Sequence, residues 1–226
     1  MVQARVVAEA LAGQLGPQRV VFIRHGQTDY NVERRAQGQK DTPLNSTGLS
    51  QARAVKLEVG QDTAVFSSPL QRALITASII FGPSVDKPFQ ARQITLLSDL
   101  MERGFGQFEG QLFKDIDGQL NQALSPATTD TTDTKQDKKS VFIRDLSSLD
   151  LERPPETRPA FQARVQRAWE AIRCKGGKEV VVVAHGGVWK QFAHQLGLHL
   201  QGPIKSISNA TPQVLEKGKD GHYFLK

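Results

Sequence analysis

The chain has 226 residues, a formal net charge of +6 and a sequence pI of about 9.5, with 38% hydrophobic and 23% charged residues, the balance of a globular protein with one sizeable core. One cysteine, Cys174, excludes an internal disulfide and a four-cysteine zinc site. No apolar stretch approaches the ~20 residues that cross a bilayer, and the basic residues are not interleaved with aromatics as a nucleic-acid stacking platform requires.

Residues 1–18 read as an N-terminal arm or short helix, and residues 19–226 as a single domain. The arm lacks the apolar core of a secretory signal and carries only Arg5, beside Glu9, where a mitochondrial leader would be rich in arginine. The expectation is a cytoplasmic protein with no membrane and no nucleic-acid partner; a homodimer is left open. The basic charge favours acidic partners, and a small phosphorylated molecule fits it. Without an export signal, the glycosylation patterns at Asn45 and Asn209 read as chance.

In chain order, "VVFIR" at 20–24 predicts a buried strand that delivers Arg24 and His25 to its end and stops at a glycine. "LNSTGLSQARAVKLEV" predicts a turn into a helix, and "TAVFSS" a second strand. Ser68 as N-cap and Pro69 at the first helical position predict a helix whose apolar face is Leu70, Ala73, Leu74, Ala77 and Ile80, stopped by Gly82-Pro83. "QITLLS" is a short strand. Residues 112–155 hold a polar insertion: "SPATTDTTDTKQDKKS" cannot bury enough apolar surface to offset its ordering entropy, so a mobile excursion is expected, with "VFIRDL" after it free to dock. "ETRPAFQARVQRAWEAIRCKGG" is a long helix with Phe161, Val165, Ala168, Trp169 and Ile172 on one face and a glycine stop. "EVVVVAHGG" repeats the design of the first strand and ends in His185; the helix "VWKQFAHQLG" and a closing hairpin around 218–221 follow. Strands alternating with helices predict an α/β fold, a three-layer α/β/α sandwich on a mainly parallel, mixed sheet.

Such sheets hold ligands at the carboxyl ends of their strands. With His25 and His185 side by side there, Arg24 beside them and Arg72 in the first turn of its helix, four nitrogen-rich side chains converge. The helix start at Gly186-Gly187 adds backbone donors and a positive dipole end. Arginine forks match phosphate oxygens, so this is a pocket for a phosphoryl group. A neutral imidazole, His25, is a competent nucleophile at pH 7. A leaving alkoxide needs a proton, for which Glu102 in "LMERGFGQFEG" is the candidate, with Asp99 and Glu109 as acidic neighbours. His194, His199 and His222 lack such context and read as surface or packing residues. A metal pair of His194 with His199 is disfavoured, because a spacing of five does not stack them on one helix face. Cys174 reads as a packing residue, and "CKGGKEV" as a helix end, since a phosphate loop would precede a helix.

"RHGQTDYN", "SSPLQRALITA", "LMERGFGQFEG" and "VVVVAHGG", in this order, resemble the four signature segments of the histidine phosphatase superfamily, also called the phosphoglycerate mutase-like family. The resemblance runs from about Val20 to the final hairpin, leaving out the polar tract. It implies phosphorylation of His25, a phosphate pocket of Arg24, Arg72 and His185 with Asn31 as a further contact, and Glu102 as proton donor and later base. It implies neither a metal nor an organic cofactor.

Phosphoglycerate mutases typically carry an asparagine where this chain has Gly187, and an Arg-Arg pair in a longer insertion. Here the insertion offers Lys135, Lys138, Lys139 and Arg144 without such a pair, so the phosphatase branch is favoured over a mutase. "RHGQT" with "QGQKDTPLNSTG" is also similar to broad-specificity phosphatases and to fructose-2,6-bisphosphatase-like members. A binding module without turnover is disfavoured because no signature residue is missing. One departure is Pro155 in "PPET", where the family often has glycine; it stiffens the approach to a rim on which Glu156 is expected.

Overall fold

Two runs of β-branched residues make the centre of the molecule. The computed structural model describes residues 16–60, 62–82, 93–123, 151–175 and 177–226. Its elements are β1 (Arg19–Arg24), α1 (Asp29–Val32), α2 (Ser46–Ala54), β2 (Ala64–Ser67), α3 (Gln71–Phe81), β3 (Ile94–Leu96), α4 (Phe113–Ala123), α5 (Arg158–Lys175), β4 (Glu179–Ala184), α6 (Gly186–Gln195), β5 (Pro212–Lys217) and β6 (Tyr223–Leu225), with short 3-10 turns between some of them.

The sheet order is β3-β2-β4-β1-β5-β6. The first four strands run parallel, and β5 and β6 are antiparallel additions. A parallel strand covered on both faces needs apolar side chains at every position. That is why "VVFI" and "VVVV" are continuous runs: Val20, Phe22, Val180 and Val182 enter one core with α5 and α6, while Val21, Ile23, Val181 and Val183 enter a second core with α3. These eight side chains are fully buried, each contributing about 1.5–3 kcal/mol relative to exposure. A smaller cluster of Ala36, Phe105, Phe108 and Ile116 lies apart from both.

Register positions the chemistry. Arg24 pairs with Ala184, so the next residues out, His25 and His185, leave adjacent strands side by side. The connection from β1 goes to β2 on one side, whereas that from β4 goes to β5 on the other, which opens the crevice at a topological switch point.

Several sequence expectations need correction. α3 begins at Gln71, two residues later than predicted, and its cap is not Ser68: Leu70 holds the N-cap position without a side-chain bond, and the Asp41 carboxylate accepts the Gln71 N–H at 2.7 Å. Ser68 Oγ lies 2.8 Å from His185 Nε2 instead. Within the 112–155 stretch, residues 113–123 form the helix α4, which the polar reading passed over. The tract at 125–140, "VFIRDL" at 141–146 and residues 1–15 of the arm lie outside the described residues, as does Pro83. Cys174 is exposed rather than packed. The His194 and His199 rings do stack, with centroids 3.9 Å apart, because His199 belongs to the turn after α6 and not to the helix itself.

Candidate active site

β1 ends in "RHG" because its exit leaves no room for a side chain. A Cβ on Gly26 would lie 2.5 Å from the carbonyl oxygen of Gly48 in α2, so the strand end packs directly on that helix. Gly26 donates its N–H to Thr76 Oγ1 of α3 at 2.9 Å, tying the third element to the same point. His25 is thereby held at the floor of a cleft of about 230 Å³.

His25 is 3% exposed. Its Nδ1–H donates to the Gly26 carbonyl at 2.7 Å, which leaves the lone pair on Nε2. Burial, then the Arg72 and Arg24 guanidinium groups, hold its pKa well below 6.5, so the ring is neutral at neutral pH. His185, fully buried, is held down in the same way by burial, Arg72, His25 and Arg24; its ring centroid lies 5.2 Å from that of His25.

Arg72, the second residue of α3, is fully buried and donates to the carbonyls of Lys40 at 2.8 Å and Gly38 at 2.7 Å. Burial pushes its pKa down to about 10. Arg24 donates to the Ile207 carbonyl at 3.1 Å, and burial lowers its pKa too. Arg24 Nε, Arg72 Nε and His185 Nδ1 are buried without a hydrogen-bond partner. Buried polar nitrogens are ordinarily paired, and here two guanidinium groups flank one neutral imidazole with nitrogens unspent: the arrangement suits an anion.

Of the three carboxylates near the "ERGFGQFEG" loop, Glu102 alone lines the cleft. Its Oε2 accepts the Gly187 N–H at 3.0 Å and its Oε1 the Arg103 N–H at 2.9 Å. Glu102 thus caps α6, using one of the backbone donors that the sequence assigned to the phosphate. Glu109 accepts from the backbone of Gln39 and Phe105, and Asp99 pairs with Arg167. The approach is close: a Cβ on Gly187 would lie 2.2 Å from Glu102 Oε1.

Arg24, His25, Asn31, Arg72 and Glu102 therefore share one cleft, and His185 lies against His25 with ring centroids 5.2 Å apart, outside the residues that line it. Asn31 Oδ1 is engaged by the Thr28 N–H and hydroxyl at 3.1 Å in the cap of α1, so what it can offer an anion is its Nδ2. Glu156 is not a rim residue: it bonds Arg164 and the Gly104 N–H behind the Glu102 loop.

Sequence reasoning passed over Arg35, Lys190, Phe105, Phe113 and Ser206 in the cleft wall. Lys190 carried a signal, since it lies one helical turn after Gly186 on the same face. Asn209, which donates to the His25 carbonyl at 2.8 Å, carried none. Among the described residues no group of three or more His, Cys, Asp and Glu is placed to hold a metal, and no helix is long and apolar enough to cross a membrane.

The chain is 31% identical over 173 residues to a metal-independent phosphoserine phosphatase of Arabidopsis thaliana, covering 75% of this chain and 64% of that protein. It is 35% identical over 142 residues to fructose-2,6-bisphosphatase TIGAR B of Danio rerio, covering 59% of this chain and 54% of that one. It thus spans less than two thirds of the length of either relative. The solved structure of mycobacterial glucosyl-3-phosphoglycerate phosphatase superposes with a TM-score of 0.64 at 25% identity, covering 92% of this chain and 97% of that chain. A model of the histidine phosphatase superfamily (branch 1) matches residues 20–225, from the second residue of β1 to the end of β6. The chain belongs to that superfamily.

Proposed function

We propose that the protein is a phosphomonoesterase that hydrolyses small phosphorylated metabolites through a phosphohistidine on His25. The observation that carries this is a neutral His25 with its Nδ1 tied to Gly26, facing a cleft whose walls hold Arg24, Arg72 and Glu102.

In the first step His25 Nε2 attacks phosphorus and the ester P–O bond breaks; Glu102, as the carboxylic acid, gives its proton to the leaving oxygen. In the second, water attacks the phosphohistidine, Glu102 takes the water proton, the N–P bond breaks and inorganic phosphate leaves. Charge on the transferring group is met by Arg24 and Arg72, the positioning and electrostatic work that phosphoryl transfer demands. The similarity to a phosphatase named metal-independent supports reading these guanidinium groups in the place of a metal ion.

The decisive assay is phosphate release from an aryl phosphate and a panel of metabolite phosphates with chelator present, with 3-phosphoglycerate isomerisation followed alongside. Release that survives chelation is expected. Isomerisation without net release would make the protein a mutase, and phosphate binding with neither reaction a binding module. His25→Ala is expected to abolish turnover and the acid-labile phosphoenzyme while the far-UV dichroism stays unchanged; full activity in that variant would overturn the mechanism.

A further inference from the structure

Glu102 lies in a segment, residues 102–105, with no helix or strand to hold it. Its position comes from a neighbour on α5. Arg164 is 12% exposed and donates to the carbonyls of Asp99 at 3.0 Å, Met101 at 2.7 Å and Glu102 at 3.2 Å. The other side of its fork meets the Glu156 carboxylate through two bonds of 2.8 Å. Glu156 in turn takes the Gly104 N–H through its side chain at 3.1 Å and donates its own backbone N–H to the Gly104 carbonyl at 2.9 Å. The Phe161 ring, 5.1 Å from the guanidinium carbon, limits its remaining freedom. α5 itself is anchored in the core by Phe161, Val165, Ala168 and Ile172.

We propose that Arg164 is the positioning residue of the proton donor: locked by Glu156, it grips three carbonyls of the Glu102 loop and sets the carboxyl group where the leaving oxygen will be. Glu102 then hangs between two fixed points, Arg164 on α5 and the Gly187 N–H on α6. A planar fork can hold several carbonyls and a carboxylate at once, which a lysine cannot. This rests on Glu102 being the proton donor.

The consequence separates positioning from mere packing. A substrate whose leaving group is a weak base departs without a proton, whereas an alkoxide does not. Since kcat/KM covers only the steps through the first irreversible one, a loss there that grows with the basicity of the leaving group reports the donor. The experiment measures kcat/KM for p-nitrophenyl, phenyl and glycerol phosphates with the wild type, Glu102→Gln, Arg164→Lys and Glu156→Gln, each checked by thermal unfolding. Arg164→Lys is expected to lose about tenfold or more with the alkyl ester and within about threefold with p-nitrophenyl phosphate, a part of the ~10²–10⁴-fold that general acid catalysis supplies. Glu156→Gln should show the same slope in weaker form, and it decides the matter if Arg164→Lys does not fold. Losses uniform across leaving groups, or none, with a steep Glu102→Gln series, overturn the role of Arg164 alone. A flat Glu102→Gln series overturns the donor assignment as well.

Discussion

His25 and His185 are both buried beside Arg72 and Arg24, so folding turns them into weak bases whose pKa lies well below 6.5. In the unfolded chain they take up protons near 6.5; in the folded chain they do so only at lower pH. Below 6.5 the unfolded state therefore binds more protons, and stability falls as pH falls. The stabilisation is present in full above 6.5 and is lost downward from there, by at most about 1.4 kcal/mol per pH unit for each histidine. Urea unfolding at pH 7.5, 6.5 and 5.5 should show the decline, and a flat or rising profile toward acid would contradict neutral burial of the pair. Gly187 makes a second prediction at this scale. A Cβ there meets Glu102 Oε1 at 2.2 Å, so Gly187→Ala must push the carboxyl group off the α6 backbone. A displacement near 1 Å can cost up to about 100-fold in rate. Hydrolysis of an alkyl phosphate should drop by at least about tenfold with little change in the unfolding midpoint; an unchanged rate would mean that the contact with Gly187 does not set the carboxyl group.

The elements differ in how plainly their sequences declared them. β1 and β4 are legible because full burial on both faces writes an unbroken apolar run, and two of the four signature blocks fall at their ends, the other two following β2 and β3. The start of α3 was not, because two contacts distant in sequence decide it: the Ser68 hydroxyl serves His185, and Asp41 supplies the cap. No local pattern announces either. α4 was missed because Phe113 and Ile116 sit in a stretch whose polar neighbours dominated the reading, and their partners Ala36, Phe105 and Phe108 come from earlier loops. Arg164, by contrast, sits in a helix legible from its apolar face, and Glu156, placed at that helix's start by the sequence, lies two residues before it; nothing in the apolar face points to the loop they hold. The Asp41 cap is testable as an element. Asp41→Ala removes the acceptor for the first N–H of α3, which should cost about 1 kcal/mol. Arg72 is the second residue of that helix, so fraying there loosens its grip on the cleft. Urea unfolding should register the loss, and inhibition by inorganic phosphate should weaken in parallel; weaker stability with unchanged phosphate affinity would separate the cap from the site.

At the scale of the whole molecule, the positive charge has a local meaning. The chain carries a net +6, but charge spread over a surface attracts any anion weakly and is screened by salt. Arg72 is different in kind, being fully buried and held by carbonyl oxygens, with Nε unpartnered. Taking a guanidinium out of water costs free energy that two carbonyl bonds offset only in part. An anion that completes its hydrogen bonds should therefore stabilise the fold by mass action. At a phosphate concentration 100 times the dissociation constant the gain is about 2.7 kcal/mol, which for a domain of this size raises the melting temperature by roughly 5–10 °C. The measurement is a thermal melt with increasing inorganic phosphate, balanced by chloride at constant ionic strength. The wild type should shift in a saturable way, and Arg72→Met should not. If both shift equally, the stabilisation comes from the general surface charge, and the buried arginine is not what makes the cleft an anion site.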